Sequence, residues 1–124
     1  MAEHLETGKK GEELAAEYLA AQGLEIIHQN WRFKSLEIDI VAHEKNKLVI
    51  IEVKTRTAPY LVEPEVAVDM RKQRLLFKAT NAYVKINNVN KDVRFDIVSV
   101  VIFGKTHKIT HIRNAFYPTL YHRG

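Results

Sequence analysis

The stretch Leu36–Arg56 constrains the fold more than any other part of the chain, because it holds two β-prone runs separated by a short polar segment. The runs are Leu36–His43 and Lys47–Thr55, both rich in Ile and Val, and their spacing predicts a β-hairpin. Charged side chains inside such runs are costly when they are buried without partners. Four charged residues within the runs therefore need an explanation: Glu37, Asp39, Glu52 and Lys54.

Strand geometry predicts how these four charges are arranged. Side chains alternate between the faces of a strand, so Glu37 and Asp39 share one face of the first run. If residues 44–47 form an unpaired loop, the register places Asp39 opposite Glu52. The same register places Glu37 opposite Lys54. Two neighbouring carboxylates beside an ammonium are typical of a site for a hard divalent cation next to a cationic catalytic group.

Length and composition favour a single domain over residues 1–124, because a chain of this size can bury a core without disulfides. The absence of cysteine excludes disulfides and thiolate metal sites and fits a cytoplasmic location. We expect no membrane association, since the sequence has neither a signal-peptide pattern nor an apolar run of spanning length. The formal net charge of +4 favours polyanionic partners.

Residues 7–22 predict a first helix, with Thr7 as its N-cap and Gly23 as its stop. The apolar side chains fall on one arc of the helical wheel, and most charged side chains fall on the opposite arc. Glu12 is the exception, because it projects from the apolar arc. Two interpretations stay open: a boundary glutamate whose carboxylate reaches water, or a carboxylate placed for a function.

A second helix is predicted over Pro64–Ile86, with Pro64 in its first turn. Its inward arc comprises Leu75, Leu76, Ala79, Ala82, Tyr83 and Ile86. Beside this arc runs a stripe of four cations: Arg71, Arg74, Lys78 and Lys85. The stripe is either a phosphate-binding surface or a solvated helix face, and both interpretations stay open.

Three further strands are predicted. Leu24–Phe33 forms an edge strand whose Trp31 is assigned to the core rather than to base stacking. Val93–Phe103 follows the second helix, so a crossover places it parallel to Lys47–Thr55. Thr106–Ile112 forms the last strand in a hairpin with its neighbour, and the tail of about 114–124 is partly irregular.

Polar residues of the last two strands predict structure more than chemistry. Arg94 and Asp96 share one face of their strand, which favours a salt bridge, with support of an active site as the alternative for Arg94. His107 and His111 have a spacing that binds metal on a helix. On a strand the same spacing separates the two rings by ~13 Å, so a zinc pair is rejected.

Motifs along most of the chain resemble those of a known family. Asp39 and, thirteen residues later, Glu52-Val53-Lys54 are similar to the D…ExK signature of restriction-endonuclease-like nucleases. The wider pattern, in order, is Gly8-Lys9-Lys10-Gly11-Glu12, Asn30-Trp31-Arg32, Glu37-Ile38-Asp39, Glu52-Val53-Lys54-Thr55-Arg56, Lys72-Gln73 and Arg94-Phe95-Asp96. From about Gly8 to about Val101 this resembles the YraN-like family of predicted bacterial endonucleases, which is similar in fold to archaeal Holliday-junction resolvases.

The resemblance implies a restriction-endonuclease-like α/β fold in three layers, with a mixed sheet of about five strands flanked by helices. It also implies that Asp39 and Glu52 bind Mg²⁺ or Mn²⁺, that Glu12 completes the carboxylate set, and that Lys54 positions or activates water. The DNA contacts expected are Arg71, Arg74 and Lys78 of the stripe, Arg56 after the hairpin, and Gln73, which the resemblance suggests.

The function implied by the resemblance is metal-dependent hydrolysis of DNA phosphodiester bonds, at branched or junction structures, by a homodimer. The alternative is an accessory protein that keeps the nuclease fold, binds nucleic acid and cleaves nothing. A third interpretation is a structural protein whose hairpin charges only pair with each other.

Overall fold

The computed structural model describes residues 2–58 and 68–118, and only the backbone for residues 2–6. Its elements, in chain order, are α1 (Ala2–Ala21), β1 (Glu25–Phe33), β2 (Leu36–Glu44), β3 (Lys47–Thr57), α2 (Met70–Ile86), β4 (Asp92–Phe103) and β5 (Thr106–Phe116). The five strands form one sheet in the order β1-β2-β3-β4-β5. β3 and β4 are parallel and the other neighbours are antiparallel, which confirms the predicted α/β class with a mixed five-stranded sheet.

Two apolar cores separate the sheet from its helices and make the fold three-layered. On one face, Ala15 and Leu19 of α1 pack against a cluster that includes Val49 and Val98. On the other face, α2 covers the second cluster through Leu76, Phe77, Ala79 and Tyr83. Alternation along β3 supplies both cores, as expected for a strand buried on its two faces.

α1 begins earlier than predicted. It starts at Ala2 rather than after an N-cap at Thr7, because residues 2–6 include good helix formers that extend the helix past Thr7. Its end at Ala21, with Gly23 at φ 98°, agrees with the predicted stop.

α2 begins at Met70, where Asp69 caps it by accepting a hydrogen bond from the Lys72 N–H at 2.9 Å. The predicted start at Pro64 lies outside the described residues. The buried face is rotated from the predicted arc, because Phe77 and Thr80 are buried whereas Leu75 and Ile86 are exposed.

The central hairpin has the predicted register but a tighter turn. Pairing between β2 and β3 runs from Glu44–Lys47 to Ile40–Ile51, so only Lys45 and Asn46 form the turn. Lys45 adopts φ 56°, as two-residue hairpin turns require.

The alternation of β2 breaks at Asp39. Ile38 belongs to the core under α2 and Ile40 to the core under α1, although the two residues are only two apart. Asn30 of β1 lies opposite Asp39, between the Gln29–Ile40 and Trp31–Ile38 pairs, and adopts φ 53°. Asparagine tolerates this left-handed conformation better than most residues. The paired irregularity therefore turns Asp39 away from regular strand geometry.

β5 is longer than predicted and includes part of the predicted irregular tail. Phe116 pairs with Phe95 and is buried, and their rings stack with centroids 5.4 Å apart. This aromatic contact extends the strand beyond Ile112. Neither of the described helices is long and apolar enough to cross a membrane.

Candidate active site

Asp39 lies where β2 and β3 cease to pair. Its Oδ2 accepts a hydrogen bond from the Val53 N–H at 2.9 Å, so a side chain joins the two strands beyond the Ile40–Ile51 pair. The next position of the register brings Asp39 and Glu52 together, close enough for the Glu52 charge to add to the effect of burial on the pKa of Asp39. The predicted juxtaposition of these two residues is therefore present in the structure.

Glu52 projects from β3 toward α2 and is 3% exposed. Its Oε2 lies 3.4 Å from the Lys54 Nζ and 3.5 Å from the Lys72 Nζ. Lys54 comes from the same face of β3, and Lys72 comes from the first turn of α2. A buried carboxylate needs such partners, because an unpaired charge at this depth would be strongly destabilising.

Glu12 reaches the same region from α1. Its side chain lies near that of Asn30, and its charge interacts with those of Glu52 and Asp39. α1 can lie close to the sheet here because Gly11 has no side chain. A Cβ at Gly11 would overlap the side chain of Thr55 on β3.

Burial and mutual repulsion shape the acid–base chemistry of these carboxyls. Burial raises the pKa of Asp39 to about 8, together with the Glu52 and Glu12 charges and against the Val53 hydrogen bond. Burial also raises the pKa of Glu12, and Glu37 and Glu52 add to this while the Asn30 hydrogen bond opposes it. In the folded protein without a cation, a proton on Asp39 relieves the repulsion between the two neighbouring carboxylates.

The donor set fits a hard divalent cation in its chemistry. Asp39 and Glu52 offer carboxylate oxygens, which Mg²⁺ and Mn²⁺ prefer, and a cation would neutralise the repulsion that raises the pKa of Asp39. Among the described residues, no three carboxylate or imidazole side chains are gathered as a complete metal centre. The pair Asp39–Glu52 therefore forms the core of the candidate site, with Glu12 as an adjoining carboxylate.

Two other predicted site residues, Gln73 and Arg56, bind main-chain carbonyls. Gln73 donates from Nε2 to the Val68 carbonyl at 3.1 Å, so its amide holds the segment before α2. Arg56 donates to the neighbouring Thr55 carbonyl at 3.0 Å. The stripe residues Arg71, Arg74, Lys78 and Lys85 are exposed on α2.

The partner expected for Glu37 is wrong. Glu37 pairs across β1 and β2 with Arg32, whose Nε lies 3.4 Å from its carboxylate, rather than with Lys54. The reason is the irregularity at Asp39, because strand alternation predicted from Asp39 does not extend regularly to the residues before it.

Sequence reasoning missed two residues of the site, Lys72 and Asn30. Both belong to the motifs of the resemblance, but neither was given a role. Lys72 lies outside the four-cation stripe on the helical wheel, and only its contact with Glu52 assigns it to the site. Asn30 could have been found only by recognising the strand irregularity opposite Asp39.

A second polar cluster surrounds Asp96, which is 0% exposed. Arg94 donates to both oxygens of Asp96 at 2.9 Å and to Glu44 at 2.8 Å. His111 Nε2 and the Asn114 N–H also bind the Asp96 carboxylate, at 2.8 and 2.9 Å. Arg94 therefore forms the structural salt bridge predicted by default, and His111 lies on a strand as predicted.

The comparisons with known proteins agree with the motif pattern. The model of the uncharacterised protein family UPF0102 matches residues 11–100. A UPF0102 protein of Bacteroides thetaiotaomicron is 46% identical over 121 residues, which cover 98% of this chain and 100% of that protein.

Two further relatives come from Flavobacterium psychrophilum and Porphyromonas gingivalis. Both are UPF0102 proteins, 45% identical over 117 residues and 44% identical over 118 residues. Each alignment covers 94% of this chain, together with 98% and 87% of the respective relative. The matched region contains every residue of the candidate site, from Glu12 to Lys72. The chain therefore belongs to the uncharacterised protein family UPF0102, the YraN-like family that its motifs resemble.

Proposed function

We propose that this protein is a metal-dependent endonuclease that hydrolyses phosphodiester bonds of DNA, with branched or junction DNA as its substrate. The observation that carries the proposal is the neighbouring carboxyl pair Asp39–Glu52, flanked by Lys54 and Lys72 where β2 and β3 cease to pair. Carboxylates for a cation beside ammonium groups for a phosphate are the parts that phosphodiester hydrolysis needs.

Asp39 and Glu52 would hold Mg²⁺ or Mn²⁺, with Glu12 as the adjoining carboxylate. The cation, when bound, would lower the pKa of a water molecule and screen the charge of the phosphate. The Val53 N–H keeps the Asp39 carboxylate oriented, since it binds only one of its oxygens. The neighbouring Asn30 side chain would help to orient Glu12.

Lys54 would orient the attacking water and stabilise the negative charge that develops on the phosphate. Its ammonium is already held near the site by Glu52, so little ordering is needed when substrate arrives. Lys72 would share this role from the opposite element, α2. The two ammonium groups also offset the cost of burying the Glu52 carboxylate.

The exposed cations of α2 would attract the DNA backbone without reading its sequence. Arg71 lies next to Lys72, so phosphates bound to the stripe would be delivered toward the carboxyl pair. A junction has two symmetric points of cleavage, which would suit a homodimer. The absence of cysteine fits action in the cytoplasm.

The decisive experiment is cleavage of labelled flapped, nicked and four-way-junction DNA in Mg²⁺ or Mn²⁺. We expect Asp39→Ala and Lys54→Ala to reduce the rate at least about a hundredfold, since each removes a group that acts on the transition state. Lys108→Ala is the matched control, because it deletes an exposed lysine on β5, at the far edge of the sheet. Equal cleavage by all four proteins would overturn the proposal.

The non-catalytic alternative is favoured by one observation, the engagement of Glu52 by two lysines. An accessory protein would bind DNA in a salt-sensitive way, would keep that binding in Glu52→Gln, and would cleave nothing. Calorimetry with Mn²⁺ separates the remaining interpretation. A protein whose charges only pair with each other would show no saturable binding of the ion.

A further inference from the structure

A groove lies between the end of β1 and the second half of α2, and neither Asp39 nor Glu52 lines it. Its volume is about 370 Å³, within the range of ligand sites. The lining residues are Phe33, Lys78, Asn81, Ala82, Lys85 and Ile86. The groove therefore combines an apolar floor with cations and one amide at its rim.

The apolar side chains that form the floor of the groove are unusually exposed to solvent. Phe33 is 37% exposed and Ile86 is 56% exposed, although both are large apolar side chains. Phe33 stacks on Trp31 with an interplanar angle of 15°, and Trp31 packs edge-on against the buried Tyr83. The exposed ring is thus held rigidly by aromatic residues that reach into the core.

The cations around the groove specify the charge of its occupant. Lys78 and Lys85 lie two helical turns apart on α2, and both are exposed. The Nζ of Lys34 lies over the Phe33 ring, 5.3 Å from its centre, so Lys34 would move from the ring to a phosphate when a base stacks there. An anchored aromatic ring bordered by three ammonium groups complements a base and its flanking phosphates, which is the usual arrangement in proteins that bind single-stranded nucleic acid.

We propose that this groove binds an unpaired base of single-stranded DNA, which stacks on Phe33 while Lys34, Lys78 and Lys85 contact phosphates. The inference rests on the proposed function, because it names the single strand as the part of the substrate held beside the site. Asn81 can donate to or accept from the edge of the base.

The position of the groove agrees with this role. Phe33 pairs with Leu36, which precedes Asp39 by three residues of β2. Three residues of extended strand span ~10 Å. That length corresponds to about three nucleotides at the 3.4 Å rise of a duplex strand. A strand anchored on Phe33 would therefore pass the carboxyl pair a few nucleotides from its anchored base.

The test measures binding of a fluorescein-labelled oligothymidylate and of a duplex by anisotropy, in EDTA so that no cleavage occurs. Phe33→Leu keeps apolar volume but removes the aromatic face. We expect it to weaken single-strand binding about five- to tenfold, with duplex binding changed less than about twofold. Phe103→Leu is the matched control, because Phe103 is 43% exposed at the β4–β5 turn. Phe33→Tyr should restore binding.

Trp31 gives a second readout, because it is the only tryptophan of the chain and contacts Phe33. Oligothymidylate should quench its fluorescence in the wild type and in Phe103→Leu. Equal affinity of Phe33→Leu and Phe103→Leu, or no binding of oligothymidylate by the wild type, overturns the groove proposal. Should Phe33→Leu fail to fold, Phe33→Met against Phe103→Met decides by the same criterion.

Binding in EDTA and cleavage in Mn²⁺ can fail separately. A protein that binds single strands through Phe33 but cleaves no DNA overturns the proposed function and leaves the groove assigned. A protein that cleaves DNA, yet binds single strands equally with and without the Phe33 ring, overturns only the groove.

Discussion

Asp39 is held in a fixed position, but its surroundings disfavour its negative charge. The Val53 N–H fixes one carboxyl oxygen, while burial and the neighbouring Glu52 and Glu12 charges raise the pKa to about 8. A raised pKa means that the folded state favours the protonated carboxyl group over the ionised one. An ionised Asp39 therefore costs the folded protein stability, a cost that is common at functional sites.

We predict that Asp39→Asn stabilises the protein in EDTA at pH 7–8. Because the folded pKa is about 8 against an ordinary value of 3.8, the folded wild type binds the proton more tightly than the unfolded chain. Its free energy of unfolding therefore falls as pH rises between these two values. Asparagine cannot ionise, and its amide oxygen still accepts from the Val53 N–H.

Denaturant unfolding of both proteins across pH 4 to 8 checks this prediction. The stability advantage of Asp39→Asn should be greatest at pH 8 and should vanish near pH 4. Saturating Mn²⁺ should reduce this stability advantage, because the ion should stabilise only the wild type. A variant that is less stable than the wild type at pH 8 would contradict the assigned repulsion.

Thr80 presents a different cost at the scale of one residue. Its Oγ1 is buried in α2 without a hydrogen-bond partner, the single such side-chain atom among the described residues. Thr80→Val replaces the hydroxyl by a methyl group of similar size, so we expect stabilisation of ~1 kcal/mol. Thermal unfolding measures it. A lower melting temperature would mean that the hydroxyl is satisfied in solution.

Among the elements, α1 decides whether Glu12 reaches the site. Gly11 lets the helix backbone approach Thr55 of β3, and Glu12 follows directly in the sequence. Any side chain at Gly11 must push α1 and β3 apart. A displacement of the helix at residue 11 would therefore also displace Glu12.

Gly11→Ala should destabilise the protein by ~1–3 kcal/mol through overpacking and should lower the cleavage rate more than Gly8→Ala does. Gly8→Ala is the matched control on the same helix, because a Cβ there meets nothing within 4 Å. Thr55→Ala should partly rescue Gly11→Ala. Equal stability and activity of the two glycine variants would show that the close approach is unimportant.

The order of elements was predictable from the sequence because each relies on local patterns. Alternating Ile and Val defined β2 and β3, and the intervening helix required β4 to be parallel to β3. The helix starts were not predictable, because α1 continues through its expected cap Thr7 to Ala2 and because Asp69 caps α2 inside the predicted helix. The rotation of α2 was also wrong for Leu75, since tertiary packing of Phe77 and Thr80 decides which face is buried.

The candidate site was predictable in its hairpin part and hidden in its tertiary part. The Asp39–Glu52 juxtaposition follows from register alone. The Lys72 contact with Glu52 depends on how α2 packs on the sheet, which no local pattern reveals. Glu12 was identified as a candidate by its place on the helical wheel. Its proximity to Asn30 depends on a strand irregularity that the wheel does not reveal.

Across the whole molecule, a second buried charge cluster joins three elements at a distance from the proposed chemistry. Asp96 on β4 binds Arg94 and His111, and Arg94 and Arg113 both bind Glu44 at the end of β2. Burial alone would raise the pKa of Asp96, but the hydrogen bonds from His111, Arg94 and the Asn114 N–H hold it below its usual value. The cluster therefore ties the strands together when Asp96 is ionised.

We predict that Asp96→Asn destabilises the fold by ~3 kcal/mol at pH 7, because Arg94 is then left without its buried partner. Since the folded pKa is depressed, this stability is present above the unfolded value of 3.8 and is lost as pH falls through the folded pKa. Urea unfolding at pH 7 and in acid measures both effects. A difference between wild type and Asp96→Asn that stays constant into acid would contradict the ionised assignment.

The net charge of +4 and the cation stripe on α2 predict that the proposed affinity for DNA falls as the salt concentration rises. Removal of one cation that neutralises a phosphate should reduce the slope of log K against log salt concentration by ~0.9. Arg71→Gln with Arg74→Gln should therefore lower the slope by about two on duplex DNA, and Lys105→Gln with Lys108→Gln should not. Equal slopes for the two double variants would mean that other residues bind the phosphates.

The side-chain link between β2 and β3 has a consequence for amide hydrogen exchange. The Val53 N–H lies in the middle of the sheet, yet its acceptor is the Asp39 carboxylate rather than a main-chain carbonyl. Protection of this one amide thus depends on a side chain, whereas its neighbours depend on the strand ladder. In Asp39→Ala, Val53 should exchange faster while Ile51 stays protected. The exchange rate of this single amide would then report whether the Asp39 side chain is in place.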